Sequence, residues 1–392
     1  MKFLCVTVSL FATQFCLAMN HSRPPKYNQD EMADLGMRLF NDRSLSDPPG
    51  QACISCHDPS AAFTSAVRTY PTSEGAVSNR FGSRNAPTLM YASYIPVFGK
   101  YPDSTGKLFL GGGLFLDGRA DSLEEQAGGP MLNPIEMNNP NTDFVVQKVR
   151  AIYEKDFTSV YGSDVLADPL IAFSKIVEVI AAFERTEVFH PFSSKYDAYL
   201  QNKAALTSQE LNGLKLFEDA KKANCVTCHS DQVDRNGNLP MFTNFTYDNI
   251  GVPKNPLNSF YQMASEFNPQ GLDFVDEGLA NHTGNVYHNG GFRIPTLRNI
   301  ALTSPYMHNG YFQTLKGVIE FYNSRDVLPA CPNPMTTESE ALSLGCWPQA
   351  EEINAVDHDK MGKLGLTSEE VDDIIAFLNT LTDGWMQSGV LN

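Results

Sequence analysis

Apolar positions recur every three to four residues in four separate stretches of the chain, each the pattern of a helix with one buried face. Met32, Leu35, Leu39 and Phe40 follow Asn28-Gln-Asp-Glu31, which resembles a capping box, a polar cap with a glutamate three residues on. Thr207-Ser-Gln-Glu210 repeats the device before Leu211, Leu214 and Phe217, and Thr367-Ser-Glu-Glu370 before Val371, Ile374, Ile375 and Leu378. The run from Ile176 to Phe183 supplies the fourth helix. These elements match in pairs: Leu-Gly-Met-Arg-Leu-Phe-Asn (35–41) with Leu-Lys-Leu-Phe-Glu (214–218), and Ala86-Pro-Thr-Leu89 with Ile294-Pro-Thr-Leu297. The pattern predicts an all-α protein of two similar halves, joined near residues 190–205. The stretches 230–292, rich in Asn, Gly and Phe, and 327–350, rich in Pro and Cys, are expected to be long irregular loops.

Each half carries one chemically distinctive pentapeptide after its first helix: Cys53-Ile-Ser-Cys56-His57 and Cys225-Val-Thr-Cys228-His229. In this C-x-x-C-H spacing two thiols add across the haem vinyl groups and the adjacent imidazole becomes an axial iron ligand. A chance occurrence has odds of roughly 1 in 300 per chain, so two are not accidental. The halves therefore read as c-type cytochrome domains, residues 19–200 and 201–392, holding two covalent haems.

The remaining composition bears on location and partners. Residues 1–18 have the form of a cleaved signal peptide: Lys2 as basic region, an apolar run Phe3–Leu17, and Ala18 before the cut. Cys16 follows Phe15 and not the small residue of lipoprotein processing, and no later stretch is apolar enough to span a bilayer. Haem attachment and export together point to a bacterial periplasm. Cys5 and Cys16 leave with the leader and four cysteines sit in the haem motifs. Cys331 and Cys346 remain, either as a disulfide, favoured in an oxidising compartment, or as two free thiols. A formal charge of −16 argues against nucleic-acid binding.

Further motifs surround the pentapeptides: Arg84-Asn-Ala-Pro-Thr88, Leu116-Asp-Gly-Arg-Ala120, Pro130-Met-Leu-Asn-Pro-Ile-Glu136, and the stretch from Pro295 to Pro305-Tyr-Met-His308. With the haem motifs they resemble the bacterial di-haem cytochrome c peroxidase / MauG superfamily over nearly all of the mature chain. The resemblance implies that the haem at His57 is the peroxide site, where high-valent iron forms, and that the haem at His229 is an electron reservoir. It places Glu136 at the catalytic acid–base position and Gln126 and Pro130 at the other distal-pocket positions. Glu136 taken alone could be a surface carboxylate, and Gln126 simply the end of a helix starting near Ser122. Many members block the first iron with a distal histidine soon after the haem motif. No histidine lies between His57 and His190 here, so that iron is expected to be five-coordinate or water-bound.

The resemblance also places the second iron's other ligand fourteen residues beyond His308. That position is methionine in standard peroxidases and tyrosine in MauG; here it is Tyr322. A phenolate favours ferric and higher states, whereas a thioether raises the reduction potential. The alternative is that Tyr322 packs in the core and Met307, Met335 or Met361 ligates. The family's inter-haem tryptophan is replaced by Leu116. A calcium ion would be held by the Asn85 side chain and the Thr303 and Pro305 carbonyls, unless Asn85 merely caps a turn. His308 would face a haem propionate or the inter-haem region. The implied activity is peroxide-dependent oxidation, with electrons drawn from a small periplasmic cytochrome or copper protein, or from a residue of a protein substrate. A di-haem electron-transfer cytochrome without catalysis is the alternative, and it would need both irons six-coordinate.

Overall fold

A computed structural model describes residues 27–102, 106–234 and 237–386; the expected leader, with Cys5 and Cys16, lies outside the described residues. The first half contains α1 (Gln29–Asn41), α2 (Cys53–Cys56), a hairpin of β1 (Gly99–Pro102) and β2 (Leu108–Gly111), α3 (Leu123–Leu132), α4 (Thr142–Tyr161) and α5 (Pro169–Glu184). The short α6 (Lys195–Leu200) leads to α7 (Ser208–Glu218), β3 (Tyr247–Asp248), α8 (Leu279–Thr283) and β4 (Phe292–Arg293). The chain ends with α9 (Leu315–Ser324), α10 (Glu338–Leu344) and α11 (Ser368–Asn379).

The four helices predicted from periodicity are α1, α5, α7 and α11. Thr207 and Thr367 form closed capping boxes: each hydroxyl accepts from the backbone N–H three residues on, and the glutamate there accepts from the threonine N–H. At α1 the device is modified. The Asn28 side chain accepts from Asp30 N at 3.1 Å, but its amide reaches the Glu31 carboxylate at 3.0 Å, a side-chain pair instead of a reciprocal box.

The two halves repeat one packing scheme. α1 crosses α5 at Gly36, where a Cβ would stand 1.8 Å from the Val179 carbonyl oxygen. α7 crosses α11 at Gly213, where a Cβ would stand 2.0 Å from the Asp373 carbonyl oxygen. Behind each crossing lies an edge-on aromatic pair, Phe40–Phe183 at 5.4 Å and Phe217–Phe377 at 5.2 Å. A third ring completes each cluster, Phe63 at 6.3 Å from Phe40 and Phe242 at 6.1 Å from Phe217. Burying each such ring contributes about 1.5–3 kcal/mol, so this repeated core is what orients the helices entering the haem motifs.

Around these crossings the first core gathers Leu35, Val145, Val149, Phe157, Ile176 and Ile180, and the second gathers Tyr196, Leu214, Ile319, Val371, Ile374 and Leu378. Tyr196 brings α6 into the second core, and its N–H donates to Thr380 O at 3.0 Å. The excursions are more ordered than loops. Segment 327–350 carries α10, and its Cys331–Cys346 disulfide covers a third core of Tyr311, Phe312, Phe321 and Trp347. Segment 230–292 is pinned where Tyr247 pairs with Arg293 and Asp248 with Phe292 across antiparallel β3 and β4. The protein is mostly helical, with these two small ladders added.

Candidate haem-binding active site

The first pentapeptide folds as the single turn α2, closed by His57 N donating to Cys53 O at 3.0 Å; the second is a tighter turn closed by His229 N to Cys225 O at 2.8 Å. His57 Nδ1 lies 2.9 Å from the Phe63 carbonyl, and His229 Nδ1 lies 2.9 Å from that of Phe242. A carbonyl there holds the proton on Nδ1 and leaves the Nε2 lone pair for a metal. Burial lowers both imidazole pKa values, His229 to about 4, so both rings are neutral and able to ligate near pH 7.

The repeated Pro-Thr motifs hold those carbonyls. Phe63 and Phe242 both sit in left-handed backbone, φ 54° and 51°. Thr88 Oγ1 donates to Ala62 O at 2.5 Å, and Thr296 Oγ1 donates to Met241 O at 2.6 Å. Each hydroxyl therefore braces the residue before the phenylalanine whose carbonyl orients the histidine.

The surroundings fit haem. Beside the first motif, Gln51 Oε1 and Glu184 Oε2 are buried with no hydrogen-bond partner among the described residues, and burial drives Glu184 up to about 8. The second motif opens on a cavity lined by Cys225, Cys228, His229 and apolar side chains such as Leu297, Ile300 and Leu366.

Tyr322, from α9, lines this cavity; burial raises its phenol, whose hydroxyl has no hydrogen-bond partner among the described residues. Met307 and Met361 share the cavity wall, whereas Met335 does not. Asn85, Thr303 and Pro305 also line it, with the Asn85 amide 2.6 Å from the Pro305 carbonyl. Leu116 faces the same space, and His308 stacks on Phe292 at 3.8 Å with Nε2 3.4 Å from Glu351.

Glu136, Gln126 and Pro130 are not among the residues lining this cavity. Ser122 caps α3, which carries Gln126 and Pro130, and Met137 N donates back to Pro130 O at 3.1 Å. The Glu136 backbone is clamped from the other side: Ala76 N donates to its carbonyl at 2.7 Å, and a Cβ on Gly75 would lie 2.3 Å from Ile135 O. The Glu136 carboxylate accepts from Asn133 Nδ2 at 2.9 Å. Burial raises its pKa, opposed by Arg119 and the Asn133 hydrogen bond. Gln126 makes no side-chain hydrogen bond among the described residues.

The family model for di-haem cytochrome c peroxidase matches residues 30–205. The chain is 38% identical over 364 residues to the methylamine utilization protein MauG of Paracoccus denitrificans, covering 90% of this chain and 89% of that one. It is 32% identical over 322 residues to the cytochrome c551 peroxidase of Nitrosomonas europaea, covering 80% of each. The diheme peroxidase BthA of Burkholderia thailandensis superposes with a TM-score of 0.73 at 34% identity, over 90% of this chain and 86% of that one. The chain belongs to the di-haem cytochrome c peroxidase family. It is a peroxidase-type oxidoreductase, and membership implies two c-type haems with peroxide as substrate.

Sequence reasoning missed how this peroxidase joins its halves. Arg84 bridges Asp117 at 2.7 Å and Asp276 at 2.6 Å. Burial pushes Asp276 up, but Arg84 overrides it and holds the carboxyl at about 2. Arg84 and Asp117 lie in the motifs already singled out; Asp276 lies in an excursion with no local signal. Nor did any signal mark the Phe63 and Phe242 carbonyls as histidine partners. Trp347 serves packing: it is buried, with Nε1 donating to Ser324 Oγ at 2.9 Å. No helix among the described residues is long and apolar enough to cross a membrane.

Proposed function

We propose that this enzyme reacts with hydrogen peroxide at the haem attached through Cys53 and Cys56, without prior reduction of the other haem. The observation that carries this is a partly buried, backbone-clamped Glu136 in a half that offers no histidine between His57 and His190 to close the iron. When bound, the haem supplies the two-electron reduction of peroxide. His57, its Nδ1 tied to Phe63 O, presents Nε2 as the protein ligand. Glu136 takes the proton from one peroxide oxygen and delivers it to the other, so that water departs. Pro130 and Gln126 shape the space on that side.

Tyr322 is the second iron's other ligand in this reading, supported by its place on the cavity wall with His229. A phenolate there stabilises oxidised iron and favours MauG-like oxidation of a residue on a partner protein over turnover with a small cytochrome or copper donor. Asn85, Thr303 and Pro305 would hold a calcium ion between the halves, the asparagine turning its amide oxygen inward. We place the domain division just before α6, since Tyr196 packs with the second core. The formed Cys331–Cys346 disulfide supports a periplasmic location.

Peroxide added to the fully ferric protein should change the optical spectrum at once, and a high-spin ferric signal should respond to cyanide. Two low-spin haems that ignore both reagents would refute the open first site. Tyr322→Phe should alter the ligation spectrum of one haem and leave the high-spin signal intact; an unchanged spectrum would remove Tyr322 as ligand.

A further inference from the structure

Arg298 and Arg293 are the buried arginines among the described residues, and only the first is matched by a carboxylate; the partly buried Arg84 is matched as well. Arg298 donates to both Asp197 oxygens at 3.0 and 2.8 Å, and Arg84 is held between Asp117 and Asp276. Arg293, only 6% exposed, has no carboxylate partner among the described residues. Its backbone N–H donates to Leu116 O at 2.8 Å and its Nη2 to Phe115 O at 3.2 Å, while Nε has no partner among the described residues. The nearby acids and phenols are otherwise engaged. Asp248 holds Lys360 at 2.6 Å, and the Tyr247 hydroxyl donates to Gly112 O at 2.5 Å. Burial accordingly pushes the guanidinium down to about 10, with only Tyr247 opposing.

A buried, uncompensated cation costs several kcal/mol, and such a group persists where an anion meets it. Arg293 lines the cavity that also holds Cys225, Cys228 and His229. The group that belongs there carries two carboxylates of its own, and a guanidinium fork with a free N–H suits a carboxylate. We propose that Arg293 anchors a propionate carboxylate of the haem attached at Cys225 and Cys228; this rests on the di-haem reading above.

The anchor has a position as well as a charge. Arg293 stands on β4 and reaches across to Phe115 and Leu116 of the first half, so it fixes that propionate at the junction between the halves. A fixed cation beside the porphyrin favours the ferrous over the ferric iron, since the ferric form carries the extra positive charge. Arg293 therefore raises the reduction potential of the second haem.

Spectroelectrochemical titration of the holoprotein tests this with Arg293→Gln and Arg293→Lys, with haem content per chain measured on each. Two haems per chain are expected throughout. One of the two haem waves should move to lower potential in Arg293→Gln and return toward the wild-type value in Arg293→Lys. The wild-type potentials should be the same in chloride, phosphate and low-anion buffers. A wild-type potential in Arg293→Gln, or a lysine variant no different from the glutamine variant, would overturn the anchor. A potential tracking chloride or phosphate would assign the site to a free anion instead, and overturn it as well. Fewer than two haems in the wild type would overturn the di-haem reading along with the proposal, which separates the two failures.

Discussion

Gly213→Ala is the substitution whose cost the structure specifies most directly. The added methyl would lie 2.0 Å from the Asp373 carbonyl oxygen and 2.8 Å from Phe377 Cβ, where ordinary contact begins at 3.4 Å. Both obstacles belong to the body of α11, so α7 and α11 must part by more than 1 Å at their crossing. In an exposed helix the change would be stabilising by about 1 kcal/mol, because alanine loses less backbone entropy than glycine. Overpacking costs about 1–3 kcal/mol, and lifting the helices forfeits a quarter to a half of the dispersion energy between Leu214, Phe217, Ile374 and Phe377. The net expectation is a loss of about 2 kcal/mol, because steric cost and lost contact together exceed the propensity gain. Guanidinium unfolding of the holoprotein, followed by far-UV circular dichroism, should show a lower midpoint with an unchanged slope. Gly129→Ala, which meets only the Phe115 ring at 3.3 Å, should be far milder. A Gly213→Ala protein as stable as wild type would show that close approach at this residue does not set the crossing.

Other outcomes follow from the same structure. Glu136→Gln should lower peroxide turnover by roughly 10²–10⁴-fold with both haems retained. The wild-type rate should fall as pH drops through a midpoint above the ordinary glutamate range, since burial raises that pKa and the base must be ionised; stopped-flow rates across pH check both. Replacing Cys331 and Cys346 by alanine opens a link of sequence separation 15 and should cost about 3 kcal/mol, read as a lower unfolding midpoint that reductant no longer shifts. Asp276, held at about 2 against an ordinary 3.8, contributes stability that is fully present above about pH 4 and lost as pH falls toward 2. In Asp276→Asn that part of the acid sensitivity should vanish from unfolding midpoints measured between those pH values.

Much of the site was legible because its signals are short-range. The pentapeptides state their chemistry in five residues, the capping boxes in four, and the periodicity in Met32–Phe40 or Val371–Leu378 needs only one helix. Even the duplication was visible as paired motifs, and the two repeated helix crossings follow from it. The small β3–β4 ladder and the ordered 327–350 segment were missed for the opposite reason: two-residue strands and a disulfide-covered core leave no periodicity to count.

What the sequence by itself determined is which groups are present: two haem-attachment motifs, a glutamate at Glu136, a tyrosine at Tyr322 and no histidine between His57 and His190. Tertiary structure alone decided what each group faces. The Phe63 and Phe242 carbonyls set the histidine tautomers, Asp276 meets Arg84 across 192 residues, and Arg293 has no carboxylate partner among the described residues. Charge balance and steric approach depend on neighbours brought together by the whole fold, and no local pattern encodes them.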